Sequence, residues 1–337
     1  MACGGGRLET MSVEHEFNPA DTDNEIQRAA ALYRNWGRWG EDDVHGTVNF
    51  ITDEKRAEAA ALIKRGRAFS LSAPFDQNGP QKGWRRRTNP TLFLMDSGTD
   101  AFNGVQGFPH GAGGADDFIS MPLSCSTQWD GLGHFFDYGK TWNGKPSTMV
   151  DGIGDHNAGI ENMYDKLVSR GVLLDFGRSH GTDGELPDGF AIKTQHILEC
   201  IEAQGSSSKI GRGDIVLVRT GKITRSKILP GWGSFASLGD APGFSFSTLK
   251  WMYETEIAAV ASDTWGFEVR PNELDNSFQP MHQIMIPNMG LSVGEIWDLD
   301  ELAEDCAADG QYDFFLSAPP LRITGAVSSP VNPIAVK

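Results

Sequence analysis

The residues best suited to chemistry lie in Thr127-Gln128-Trp129-Asp130-Gly131-Leu132-Gly133-His134, where a carboxylate and an imidazole stand four positions apart in a glycine-rich stretch. Gly131 and Gly133 admit backbone conformations closed to other residues, so Asp130 and His134 can converge on one point without a helix to space them. Two readings stay open: a metal or acid/base site at a cavity wall, or an Asp that caps a turn beside a His bonded to a neighbouring loop.

A second pair is His282 and Glu295. Pro287 and Gly290 break any helix between them, so the chain is free to fold back and bring imidazole and carboxylate together, as a metal site needs. Asp263 ends the apolar run Ile257 to Ser262, where α/β folds place functional side chains and where a turn cap is equally at home. Arg219 ends Ile215 to Val218 and either clamps a substrate carboxylate or pairs with an acidic residue, the second being favoured in so acidic a chain. His15, His45, His110, His156, His180 and His196 fall in no ligand or catalytic spacing. Serine-hydrolase elbow, HExxH, phosphate-loop and dinucleotide signatures are absent. Cys3, Cys125, Cys200 and Cys306 are widely spaced, against a thiolate zinc cluster or a disulfide framework, and Cys125 reads as a small core residue rather than a nucleophile.

The elements that must position these residues alternate in type. Residues 1–24 are polar and glycine-bearing and are expected to be flexible, with the ordered domain spanning 25–337. Helical spacing predicts helices over Glu25 to Trp36, Thr52 to Lys64, Asn157 to Ser169, Ile192 to Ala203, Ser247 to Glu256 and Leu299 to Ala308. Apolar runs predict strands over Phe69 to Phe75, Thr91 to Met95, Phe118 to Leu123, Val172 to Phe176, Asp214 to Thr220, Ile257 to Ser262 and Asp313 to Leu316. Asp76 to Asp117 is rich in Gly, Pro, Asn and Arg, and Gly104 to Asp117 reads either as a lid or as a disordered loop. The alternation implies a single α/β domain with helices packed on a mixed sheet.

A chain of 337 residues with 39% hydrophobic residues buries a large core. Its longest apolar runs fall far short of a membrane span, and the N-terminus lacks a secretory pattern, so a cytoplasmic protein without membrane contact is expected. The net charge of -16 repels phosphate backbones and the one basic cluster, Lys82 to Arg87, is short. Nucleic acid is excluded as a partner.

Taken together, the residues resemble the metal-dependent cyclase-like hydrolases, the family of bacterial kynurenine formamidase and isatin hydrolase. The family signature is His, three residues, His, one residue, Asp, three residues, His, and Thr127, Asp130 and His134 fit it in order. Further blocks are Trp39-Gly-Glu-Asp-Asp, Arg170-Gly-Val-Leu-Leu-Asp, Gly213-Asp-Ile-Val-Leu-Val-Arg-Thr-Gly, the His282 to Glu295 segment and Ser329-Pro-Val-Asn-Pro-Ile-Ala, and they look like the longer branch of the family. The resemblance implies a swivelling β/β/α fold, a dimer or tetramer, His134 as general acid/base, and Asp130, His282 and Glu295 as ligands of zinc or manganese. Where the family has its two leading histidines this chain has Ser124 and Gln128. One tightly held ion is therefore expected, with Gln128 peripheral to it or bound to substrate. Trp129, Phe135, Phe136, Trp142, Asp263 and Trp265 are candidates for the substrate pocket. The implied reaction is hydrolysis of a small cyclic or aromatic amide or lactone, with two alternatives: a metal-dependent dehydratase or cyclase, and a binding protein that has lost catalysis.

Overall fold

The computed structural model describes residues 14–236 and 239–337. A nine-stranded mixed sheet runs through the molecule. Its strands in chain order are Ala68–Ser70 (β1), Gln128–Asp130 (β2), Val168–Asp175 (β3), Ile215–Arg219 (β4), Ala259–Ser262 (β5), Ser292–Glu295 (β6), Asp313–Ser317 (β7), Ser328–Pro330 (β8) and Ile334–Val336 (β9). Across the sheet the order is β1-β9-β7-β3-β4-β5-β6-β2-β8. The four central strands, β3 to β6, are parallel and the flanking ones antiparallel. Parallel strands covered on both faces read as continuous apolar runs, as Ile-Val-Leu-Val in β4 does.

Alternation along these strands divides the core. Leu173, Ile215, Leu217, Ala259 and Ala261 face a layer containing Trp129, Trp142, Trp297 and Phe314. Leu174, Val216, Val218, Val260 and Val293 face the helices Thr194–Gln204 and Leu249–Thr255 with Phe176, Phe244 and Trp251. The expected α/β domain, helices on a mixed sheet, is thus the observed one. Among the described residues no helix is long and apolar enough to cross a membrane.

Several boundaries differ from expectation. The first helix is Thr22–Leu32, with Ile26, Ala29 and Ala30 buried as their spacing implies. The chain before it is already packed at Glu14, which accepts the Thr194 amide, and at His15, which shares a hydrogen bond with the Tyr33 hydroxyl. What was expected of residues 1–13 and of Cys3 lies outside the described residues. The second helix, Asp53–Ala60, is capped by Thr52, whose side chain accepts from the Lys55 amide.

No α-helix forms over Asn157 to Ser169. A short turn, Ile160–Met163, leads directly to β3. The Asp155 carboxylate takes the Asn157 and Ala158 amides and Ala326 accepts the Ile160 amide, which ties the stretch to the chain just before β8. Thr91–Asp96 and Asp116–Ser120 pair as an antiparallel hairpin apart from the main sheet, with both strands exposed throughout. The stretch read as lid or disordered loop, Gly104 to Asp117, forms most of the connection between these two strands.

Candidate metal centre and adjoining pocket

β2 and β6 run antiparallel at one side of the sheet, with Gln128 opposite Glu295 and Asp130 opposite Val293. Because strand side chains alternate, Gln128 and Asp130 emerge on the same face as Glu295, and Trp129 is driven to the other. His282 arrives from the short helix Pro280–Ile284, which continues as a π-helical turn over Met285–Met289 and ends at Gly290. The helix is not broken at Pro287, as the sequence suggested. A wider turn has room for the proline ring, and such turns recur at functional sites.

Ligand atoms of Asp130, His282 and Glu295 lie within 4.8 Å of one another, all three residues buried. His282 Nε2 is 3.2 Å from Glu295 Oε1, and its Nδ1 is 2.6 Å from Glu268 Oε1. Glu268 also accepts the backbone amides of Met281 and His282, capping the helix that carries the imidazole. Burial opposes a charged His282, but hydrogen bonds to Glu268 and Glu295 outweigh it and push its pKa up to about 10. A cation taking Nε2 as a ligand replaces the proton shared with Glu295, while Nδ1 keeps its bond to Glu268. Burial, opposed by His134 and reinforced by Glu295, raises the Asp130 pKa.

The donors are carboxylate oxygens and an imidazole nitrogen, the set preferred by hard and borderline divalent ions. On the same face the Gln128 carboxamide oxygen is buried without a hydrogen-bond partner. These residues fit a metal ion. Gln128 also stands against both carboxylates: its Nε2 donates to Glu295 Oε2 at 3.0 Å and approaches Asp130 Oδ1 at 3.4 Å. Ser124 is remote from this role and donates to the Ser328 hydroxyl.

His134 Nδ1 is 3.5 Å from Asp130 Oδ1 and has no hydrogen-bond partner. Burial lowers the His134 pKa against the pull of Asp130, which favours a neutral imidazole. The glycines before it serve a different purpose from the one expected. A Cβ on Gly133 would strike the Asp155 carboxylate, and one on Gly131 would lie 2.9 Å from Ile160 Cβ, so closeness rather than dihedral freedom requires glycine.

Asp130, His134 and Glu295 open into a cavity of about 300 Å³, also lined by Phe135, Phe136, Trp265, Trp84, Arg85 and Arg87. Of the pocket candidates, Phe135, Phe136 and Trp265 are therefore in place. Trp129, Trp142 and Asp263 are not. Trp129 packs on Trp297 at 4.8 Å and donates to Ala318, and Trp142 is core and donates to Asp43. Asp263 accepts from the Thr220 amide and hydroxyl and the Gly221 amide, binding the end of β4 to the end of β5. Arg219 pairs with Asp175 and Asp300, the structural alternative of its two readings. Glu268, Trp84 and the two arginines escaped the sequence reading, since no spacing ties them to the motif. The basic cluster Lys82 to Arg87 is plain in the sequence, but its place at a cavity is not.

The model of the family named Cyclase matches residues 69–269. The chain belongs to the cyclase family. A crystal structure described as a novel cyclase is 40% identical, covering 91% of this chain and 99% of that one at a TM-score of 0.82. More distant cyclase-like folds include isatin hydrolase A from Labrenzia aggregata, 17% identical over 80% of this chain and 93% of that one at a TM-score of 0.58. Isatin hydrolase A from Ralstonia solanacearum is 16% identical over 85% of this chain and 98% of that one, also at 0.58. None of the curated proteins matches the chain. The family match covers the Gln128 to His134 motif and Glu268 but stops short of His282 and Glu295, which the fold brings to them.

Proposed function

We propose that this cyclase-family protein is a metal-dependent hydrolase of a small cyclic or aromatic amide or lactone. The observation that carries the reading is the buried trio Asp130, His282 and Glu295, two of which, Asp130 and Glu295, line an aromatic-walled cavity together with His134. A divalent ion held by the trio, zinc or manganese and one per chain, would supply Lewis acidity toward a water and a substrate carbonyl.

The chain's own part is proton handling and orientation. A neutral His134 accepts a proton as the water oxygen bonds to the carbonyl carbon, then returns it to the departing nitrogen or oxygen as the C–N or C–O bond breaks. The Asp130 carboxylate, 3.5 Å from Nδ1, favours the imidazolium that forms when His134 takes the proton. Glu268 fixes the ring of His282. Phe135, Phe136, Trp84 and Trp265 offer flat apolar surface to a ring. The reading extends to a cytoplasmic homodimer or homotetramer.

The test is a panel of cyclic amides, lactones and N-formyl arylamines offered, in ¹⁸O-labelled water, to protein loaded separately with zinc and with manganese. Label is expected in the carboxylate product. Turnover without label would instead indicate a lyase that moves a proton without water attack, and thermal stabilisation by a panel member without turnover would indicate a binding protein.

A further inference from the structure

Two arginines line the cavity beside Asp130 and Glu295, and nothing in the hydrolase chemistry just described uses their charge. Arg85 and Arg87 both line the cavity with Trp84 and Trp265. The chain holds 45 acidic against 29 basic residues, and most of its arginines are engaged by carboxylates, Arg219 and Arg170 by two each. Neither Arg85 nor Arg87 forms an ion pair among the described residues, although the charge of Arg87 reaches Asp130.

Their guanidiniums are nonetheless held. That of Arg87 lies 5.4 Å from the Trp265 ring centroid and 5.9 Å from that of Trp84, and that of Arg85 lies 5.4 Å from Trp84. Trp84 is itself fixed edge-on to Trp265 at 5.1 Å. Stacking engages the face of a guanidinium and leaves its in-plane N–H donors available, in the fork that matches a carboxylate. Asp130 and Glu295 line the same cavity. An anionic substrate entering a cavity that holds these two carboxylates needs a compensating positive charge, and the two arginines supply it.

We propose that Arg85 and Arg87 form an anion clamp that selects substrates bearing a carboxylate in addition to the scissile amide or ester. The inference rests on the hydrolase reading for the word substrate, but the clamp itself is a binding property. Arg86, between the two, does not line the cavity and serves as a control for general charge.

The experiment compares formanilide with 2-, 3- and 4-formamidobenzoate, which add one carboxylate at increasing distance from the same formamide. With metal-loaded protein, kcat/KM for at least one isomer is expected to exceed that for formanilide by about 10- to 100-fold, the range of a charge-assisted hydrogen bond. In Arg85→Gln/Arg87→Gln that ratio falls toward one, and in Arg86→Gln it is retained. The same four compounds are titrated calorimetrically into metal-stripped wild-type and double-variant protein. There a formamidobenzoate is expected to bind more tightly than formanilide only in the wild type.

A wild-type ratio near one, or a ratio surviving in the double variant, overturns the clamp while leaving the hydrolase reading intact. If no compound is turned over, the hydrolase reading fails for arylformamides, and the metal-stripped titration decides the clamp alone. Equal binding of all four compounds, or no binding, overturns it.

Discussion

Each polar side chain at the centre has one geometric task, so substitutions should separate. His134 touches the cavity but is not among the three clustered donors. His134→Ala is therefore expected to lower turnover by about 10²- to 10⁴-fold, the usual worth of a placed imidazole, with metal content by elemental analysis unchanged. Asp130→Ala removes one of only three donors and should abolish the bound ion. One ion per chain is expected in the wild type, and two tight ions would contradict the reading. Glu268→Gln keeps the shape but replaces the carboxylate that His282 Nδ1 and two backbone amides share. A loss of about 10- to 100-fold in metal affinity is expected, measured by competition with a chelator, with little change in secondary structure by circular dichroism.

At the scale of elements, the centre depends on β2 lying tightly against β6. Gly294 faces Trp129 across the ladder, and a Cβ there would lie 2.6 Å from Ala261 Cβ and 3.0 Å from the Trp129 ring. Gly294→Ala is expected to cost about 1 to 3 kcal/mol by overpacking, read as a lower urea midpoint, and to weaken metal binding because Glu295 shifts with its strand. On the far side of the parallel strands, Asp300 holds Arg219, Thr224 and Lys227. Burial would raise its pKa, but hydrogen bonds from Thr224 and Lys227 and the charge of Arg219 hold it below the ordinary value. A depressed carboxyl contributes stability that is present above its unfolded pKa, about 4, and is lost as pH falls through the lowered one. The urea midpoint of the wild type should accordingly decline below about pH 4, and Asp300→Asn should remove part of that decline.

At the scale of the whole molecule, the hairpin Thr91–Asp96 and Asp116–Ser120 exposes Leu92 at 63%, Phe93 at 55%, Met95 at 64% and Phe118 at 53%. A two-stranded ribbon without an apolar partner is marginal in water, and exposed apolar side chains of this kind are what a subunit interface would cover. Beside it lies an apolar groove lined by Phe75, Ile119, Met121, Leu321 and Ile334. The proposed homo-oligomer would bury this hairpin against a second copy. Sedimentation velocity should then show a dimer or tetramer for the wild type and a smaller species for Phe93→Asp/Phe118→Asp, with unchanged circular dichroism. A wild-type monomer at micromolar concentration would remove this part of the reading.

Local pattern carried the order of strands and helices, because periodicities of 2 and 3.6 are written in consecutive residues, and it marked Asp130, His134, His282 and Glu295 through motif and resemblance. It could not carry what depends on residues distant in the chain. That Trp129 and Trp142 are core while Trp84 lines the cavity follows from which face of a strand or loop meets the sheet. That Glu268 grips His282 follows from helix Pro280–Ile284 docking after β5. That the short basic cluster faces a cavity rather than solvent alone follows from Trp84 packing on Trp265, across more than half the chain. Composition and spacing named the groups able to bind a cation. Only the register of β6 on β2 and the turn after His282 put them within reach of one.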